Sequence, residues 1–429
     1  MSHVFPRVLE RDVPTAVAAR GVWITDAQGK RYLDAAGGAI VVNVGHGDPA
    51  VIDAMAAHAA SLQYVHPTMF TTEDLEAYAD EVASRLPIDS PRIYPVSGGS
   101  EAVETALKLA RAYYLARGER DRSVIIARHN SYHGNTLGAL DASGKQPLRE
   151  PYRPWLGRVV HVPAAYDYRE PLTAAEHAEA LEAAIVRAGP RRVAAFIAEP
   201  VAGATLAAAV PSEDYWPAVV DVCRRHGVLV IVDEVMTGFG RTGTWFGVDH
   251  WDVRPDILTA GKGSSGGYVP FGFTAAAAEV FETVRPGGFV HGFTYSHNGL
   301  GAAAARRVLR RLDDGLVEAS AKKGIRLRSG LTEALSSSPV VGDVRGIGLM
   351  IGIELVRDRE TRVPFPRGDR VTERIVAAAF DRGLLLYSST GHVDGTDGDL
   401  LMLGPPFVIS DEEIELVIER TEAAISTIP

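Results

Sequence analysis

The sequence predicts an α/β fold: a large central domain built on a mainly parallel sheet, flanked by smaller lobes at either end. Two observations carry this. From residue 56 to about residue 320, short apolar runs alternate with amphipathic helical stretches, the signature of parallel βαβ units. Before residue 55 and after residue 321, strand-like pieces are instead separated by turns and single helices, giving an N-terminal lobe over 1–55 and an α+β lobe over 321–429.

In chain order, VWITD (22–26), RYLDA (31–35) and AIVVNV (39–44) are expected strands, broken by Asp26-Ala27-Gln28-Gly29 and Gly37-Gly38 turns, and a helix is expected from near Pro49. Gly98-Gly99-Ser100 opens a helix over Glu101 to Arg117, with Val103, Ala106, Leu107, Ala110 and Tyr114 at helical spacing. Four apolar runs then end in polar residues: SVIIA before Arg128 to His133, VAAFIA before Glu199, VLVIV before Asp233-Glu234, and DILTA before Gly261-Lys262. As parallel strands they place an aromatic ring, carboxylates and a lysine along one sheet edge, where open α/β folds bind ligands. Arg285 to Gly301 is Gly-rich and reads as a loop. A helix around Lys322 to Leu335, the strand-like VVGDVRGIGLMIGIEL (340–355), a helix over TERIVAAAFDRG (372–383) and further strands complete the chain.

With 429 residues, 46% of them hydrophobic, the chain can bury a large core. A net charge of -10 argues against nonspecific nucleic-acid binding, which needs clustered Lys and Arg to displace counterions, so no nucleic-acid partner is expected. No segment approaches the apolar length of a membrane span, and no basic head precedes an apolar run near Met1. The lone Cys223, in an apolar helical stretch, reads as a packed thiol in a reducing compartment. A soluble cytoplasmic protein is the expectation.

Lys262 sits among small residues just after a buried run, where desolvation makes an amine nucleophilic; taken alone, a plain strand-end lysine is the commoner case. Asp233 follows five aliphatic residues, so its charge needs a partner. A protonated pyridine nitrogen is one such partner. Magnesium in a Walker-B setting is another, but no G-x-x-x-x-G-K-[ST] accompanies it. Glycines and a serine at a helix start can converge N–H groups on an anion, or simply cap the helix. Gly45-His46-Gly47-Asp48-Pro49-Ala50 matches a dinucleotide-binding turn, yet no acidic residue closes a strand some twenty positions on, which disfavours a nicotinamide dehydrogenase. His129 and His133 lack an evident third ligand, and no metal site is expected.

Together these residues resemble the class III (omega) aminotransferases, pyridoxal-phosphate (PLP) enzymes of fold type I, over nearly the whole chain. The motifs that carry the resemblance are Val232 to Gly243 (VDEVMTGFGRTG) with Ala260-Gly261-Lys262, Gly98 to Ala102, Tyr132-His133-Gly134, Glu199-Pro200-Val201, His291 to Ser296 and Pro405-Pro406-Phe407. The resemblance implies a seven-stranded-type sheet in the large domain and one small domain formed by both termini. It implies that Lys262 carries the cofactor as a Schiff base and moves the substrate proton, while Asp233 pairs with the ring nitrogen. Gly98, Gly99, Ser100, Tyr132, His133, Glu199 and Val235 would complete the cofactor site. Thr294 would reach the cofactor phosphate of a neighbouring subunit, making a homodimer or larger oligomer. Ile40, Tyr132, Glu199, Ala204 and His392 would line the substrate pocket. The implied reaction is ping-pong transfer of an amino group from an amine or ω-amino compound to a 2-oxo acid such as pyruvate; an aminomutase or decarboxylating relative is the alternative on the same scaffold. Many family members carry an arginine before the terminal Pro-Pro to bind a carboxylate, but here Ser389 to Asp399 has none and is acidic. Turn aspartates are one explanation, and a preference for cationic or polyhydroxylated amines is the other.

Overall fold

The computed structural model describes residues 3–9 and 13–429. Its central sheet has seven strands: β1 (Arg92–Val96), β2 (Val124–Arg128), β3 (Val159–Val162), β4 (Val193–Ala198), β5 (Leu229–Asp233), β6 (Ile257–Ala260) and β7 (Gly272–Ala276). Their spatial order is β1-β7-β6-β5-β4-β2-β3. Only β7 runs antiparallel to its neighbours β1 and β6; the other pairings are parallel. The four polar-ended runs are thus β2, β4, β5 and β6, side by side with their carboxyl ends on one edge.

Every residue of β4 and β5 is buried, because helices cover both faces. Alternation along each strand sorts the side chains. Phe196, Val230 and Val232 face Leu181, Ile185, Trp216 and Val219 on one side. Ile197, Leu229 and Ile231 face Val103, Ala106, Ala110 and Tyr114 on the other. The covering helices have local reasons to form. Ala174–Ala188 starts at a capping box, in which Thr173 Oγ1 accepts from the Glu176 N–H (3.2 Å) and Glu176 Oε2 accepts from the Thr173 N–H (2.7 Å). Cys223 is buried in the helix Tyr215–Arg225, and burial pushes its thiol pKa up, away from a reactive thiolate.

Two four-stranded sheets lie outside the central one. Ala16–Arg20, Trp23–Asp26 and Arg31–Asp34 are joined by Leu384–Leu385, so the two ends of the chain share a sheet. The other takes Val341–Ile347, Met350–Leu355, Asp399–Leu403 and Tyr387–Thr390. Stretch 340–355 is therefore a hairpin rather than one strand. Arg241, fully buried, ties both ends to the central domain: Nη1 donates to the carbonyls of Leu349 and Pro405 (both 2.8 Å), Nη2 to that of Val42 (3.1 Å).

The expected strand over 39–44 does not form. Gly37–Ile40 is instead a tight helical turn with Gly37 and Gly38 at φ +55° and +68°. A Cβ on Gly37 would stand 2.3 Å from the Gly404 carbonyl oxygen, so only glycine fits. The buried coil that follows is satisfied by Asn43, whose amide donates to the Gly263 carbonyl at 2.9 Å. The Gly-rich stretch ends at Asn298, which caps Gly299–Arg311 by accepting from the Gly301 N–H (2.9 Å). Among the described residues no helix is long and apolar enough to cross a membrane.

Candidate active site

The shared strand edge forms a cleft that brings together Gly99, Ser100, Tyr132, His133, Glu199, Ala204, Asp233, Val235 and Lys262. Each arrives for a local reason. Asp233 ends β5, Glu199 follows β4, Lys262 follows β6 by one glycine, and Tyr132 and His133 lie on the turn after β2.

Asp233 is only 3% exposed and its carboxylate is heavily bonded. Oδ2 meets His133 Nδ1 at 2.7 Å, while Oδ1 accepts from the Val235 N–H (3.0 Å) and Thr259 Oγ1 (3.2 Å). These three contacts fix the orientation of the carboxylate. His133 is fixed in turn, its backbone N–H donating to Ser143 Oγ at 2.8 Å. Its buried Nε2 meets no partner among the described residues.

Lys262 adopts φ +44°, an uncommon conformation for a non-glycine residue, which turns its side chain into the cleft. Burial pulls its amine down to about 8, against the opposing pull of Asp233 and Glu199. A sizeable neutral fraction near physiological pH is what a nucleophilic amine or a general base needs. Glu199 is buried as well, and burial raises its carboxyl pKa; Oε1 accepts from the Tyr132 N–H (3.1 Å) and Oε2 from the Gly203 N–H (2.7 Å).

Gly99–Ala116 supplies the anion cradle. Its first helical bond is from the Ala102 N–H to the Gly98 carbonyl (3.0 Å), which leaves the N–H groups of Gly99, Ser100 and Glu101 unbonded at the cleft mouth among the described residues. A Cβ on Gly99 would sit 2.7 Å from Val235 Cγ1, and one on Gly134 only 2.4 Å from Ser100 Oγ. Both glycines let the cradle close onto its neighbours.

Four predicted residues lie elsewhere. Gly98 caps the helix behind the cleft wall. Ile40 is buried beside it, packed with Val201, Met350 and Met402. Thr294 is exposed on a loop, its carbonyl accepting from the Tyr64 hydroxyl (3.2 Å). His392 does not face the cleft; its ring is buried against Glu354, Nε2 to Oε1 at 3.1 Å. The aspartates of its loop are occupied as well: Asp394 accepts from the N–H groups of Thr396 and Asp397, Asp397 from that of Arg367, and Asp399 from that of Thr372. Turn chemistry accounts for Asp394, while Asp397 and Asp399 are held by N–H groups at the starts of the helical segments Arg367–Asp369 and Val371–Asp381. Gly134, Met236 and Thr237 line the cleft without having been singled out, although each lies inside a quoted motif.

An anion cradle, a buried carboxylate and a desolvated lysine on one cleft fit the phosphate, ring nitrogen and aldehyde of PLP. Residues 10–425 match the family model described as aminotransferase class III. The chain belongs to the class III aminotransferases. As a class III aminotransferase it is PLP-dependent. It is 38% identical over 435 residues to the uncharacterized aminotransferase YodT of Bacillus subtilis, covering 100% of this chain and 98% of that protein. It is 31% identical to the putrescine–pyruvate aminotransferase of Pseudomonas aeruginosa, covering 98% and 94%. An amine transaminase from an uncultivated Pseudomonas species, solved with PLP bound, superposes with a TM-score of 0.92 at 32% identity, covering 100% of this aminotransferase and 98% of that chain.

Proposed function

We propose that this aminotransferase moves an amino group from an amine or ω-amino donor to a 2-oxo acid, pyruvate, in two half-reactions at one site, and works in the cytoplasm. The observation that carries the reading is the desolvated Lys262 amine sharing a cleft with the triply bonded Asp233 carboxylate. The naming of one relative as putrescine–pyruvate aminotransferase supports this donor and acceptor. Bound here, PLP supplies a carbonyl that condenses with amines and a ring that accepts electrons.

The chain's own residues do the rest. Asp233 keeps a proton at the ring nitrogen, and His133 and Thr259 hold it in that orientation. Gly99 and Ser100 receive the phosphate on their N–H groups. Val235, seated on Gly99, supports the ring from one side, and Tyr132, positioned by Glu199, packs near it. With the cofactor's aldehyde engaged by the substrate, the Lys262 amine would be free to take a proton from the substrate carbon that bears the amino group and to deliver it to the cofactor's C4′, two bonds away. Its lowered pKa matches that double duty at neutral pH.

The active unit is a homodimer. Tyr64, Met69, Phe70, Val290 and Tyr295 are exposed, Val290 by 97%. Tyr64 and Tyr295 are in edge contact at 6.4 Å, so the two segments form one apolar face. Thr294 lies in that face, where a second copy would bring it to the neighbouring phosphate cradle.

The test is spectroscopic. The PLP-loaded protein should show a visible band that bleaches with an amine alone and returns with pyruvate. A band that bleaches and never returns with any 2-oxo acid would refute transamination.

A further inference from the structure

We infer that Lys145 is the cation that receives the carboxylate of the 2-oxo acid, an inference that rests on the transaminase reading above. An acceptor of this class carries a carboxylate beside its reacting carbonyl, so the substrate side of the cleft needs a cation with spare donors.

The arginines nearby are held by the fold, although Nη1 of Arg128 and Nη2 of Arg169 are buried and meet no partner among the described residues. Arg128 donates to the Glu199 carbonyl (2.6 Å) and lies against Tyr215 beneath the sheet edge. Arg241 serves three carbonyls. Arg345 and Arg169 are paired with Glu354 at 2.9 and 2.5 Å. Lys145 is different: its ammonium donates to Ser389 Oγ, and no carboxylate of the described residues lies within ion-pair distance.

Its position follows from the turn that builds the cleft wall. Ser143 Oγ accepts the His133 N–H, and the Gly144 N–H donates to Ser131 Oγ (3.1 Å) and Ser131 O (3.0 Å). A Cβ on Gly144 would come within 2.1 Å of the Arg128 carbonyl oxygen, so these two segments are in direct backbone contact. Lys145 is the next residue. Ser389 belongs to Tyr387–Thr390, and Tyr387 packs in the cluster that includes Ile40 and Met236 and is electrostatically felt at Tyr132. Met236 itself lines the cleft. Lys145 thus joins the turn that carries Tyr132 and His133 into the cleft to the strand Tyr387–Thr390, and Ser389 offers a hydroxyl as a second donor. Burial pulls the Lys145 ammonium down to about 8, as expected of a desolvated cation with no counter-charge.

The test compares pyruvate with its neutral amide, pyruvamide, as acceptors for the PLP-loaded enzyme, wild type against K145M and K145R. The ratio of kcat/KM for the two acceptors should fall at least tenfold in K145M and stay within about threefold in K145R. A lysine with only a structural role would lower both acceptors together and leave the ratio intact in K145M, which would overturn the assignment. Arg7, exposed on the N-terminal segment and electrostatically felt at Tyr132, is the rival cation. If R7Q collapses the ratio and K145M does not, Lys145 is wrong while transamination stands. If wild type returns amino groups to neither acceptor, the transaminase reading fails first and this inference falls with it.

Discussion

Replacing Gly99 by alanine tests the cradle most directly. Gly99 has helical backbone geometry, so its lack of a side chain is not a matter of φ; it is a matter of space. An added Cβ would lie 2.7 and 3.1 Å from the two γ-carbons of Val235, well inside van der Waals contact. Either Val235 must leave its position or the helix start must lift away from the sheet edge. Overpacking of this kind costs about 1–3 kcal/mol. G99A should therefore lower the urea midpoint of the cofactor-free protein and weaken PLP binding by about tenfold, since a displaced helix start misdirects its N–H groups. V235A removes both clashing carbons. In the double variant G99A/V235A, stability and PLP affinity should recover relative to G99A, with a coupling on the order of 1 kcal/mol. Denaturation followed by tryptophan fluorescence, with PLP titrated by absorbance, measures both. If G99A matches wild type within about 0.5 kcal/mol, or V235A brings no recovery, the close fit between these residues does not govern the cradle.

Three further outcomes are expected. Because burial lowers the Lys262 amine to about 8, the rate at which the cofactor-free enzyme links PLP should rise through pH 8 and level off above it; a rise centred near 10 would contradict the desolvated setting. Burial alone would raise the Glu354 carboxyl, but its bond to His392 and the charges of Arg345 and Arg169 hold it at about 2, below its ordinary 4.5. A depressed carboxylate contributes stability above its unfolded pKa and loses it as pH falls toward the folded one, on the order of 3 kcal/mol between pH 4.5 and 2. E354Q should be less stable at pH 6, because Arg169 loses its carboxylate and Arg345 is left with Asp343 alone, and should melt with a flatter acid dependence; a variant that keeps the wild-type acid slope assigns the slope elsewhere. V290E and F70E should convert a dimer to monomers in sedimentation, and unchanged mass in both variants would remove that face as the interface.

The parallel core was readable because β4, β5 and β6 are long enough, and aliphatic enough, to be strands buried on both faces. Their order in the sheet matched the expectation that four polar ends share an edge. Ala39 to Val44 has a similar aliphatic composition yet is the end of a helical turn followed by coil. What decides it is distant: Asn43 finds carbonyls of Phe239 and Gly263, some two hundred residues on, that replace a sheet partner. His392 was misplaced for a similar reason. It enters the pocket only through the family resemblance, and nothing local shows that Glu354 waits for it inside a cluster with two arginines. The contact of His133 with Asp233, between residues 100 apart, is likewise a product of the sheet rather than of any motif spacing.

The sheet shared by the two ends of the chain has a consequence for synthesis. Trp23 donates to Glu413 across 390 residues, and Arg31–Asp34 pairs with Leu384–Leu385. At about 5–20 residues per second, the first strands wait roughly 20–80 s on the ribosome before their partners exist. During that interval an unpaired β-edge is open to other nascent chains. The waiting edge is that of Arg31–Asp34, which Leu384–Leu385 later covers. Slowed translation of the last hundred codons should therefore lower the yield of soluble protein more than the same delay placed earlier in the message.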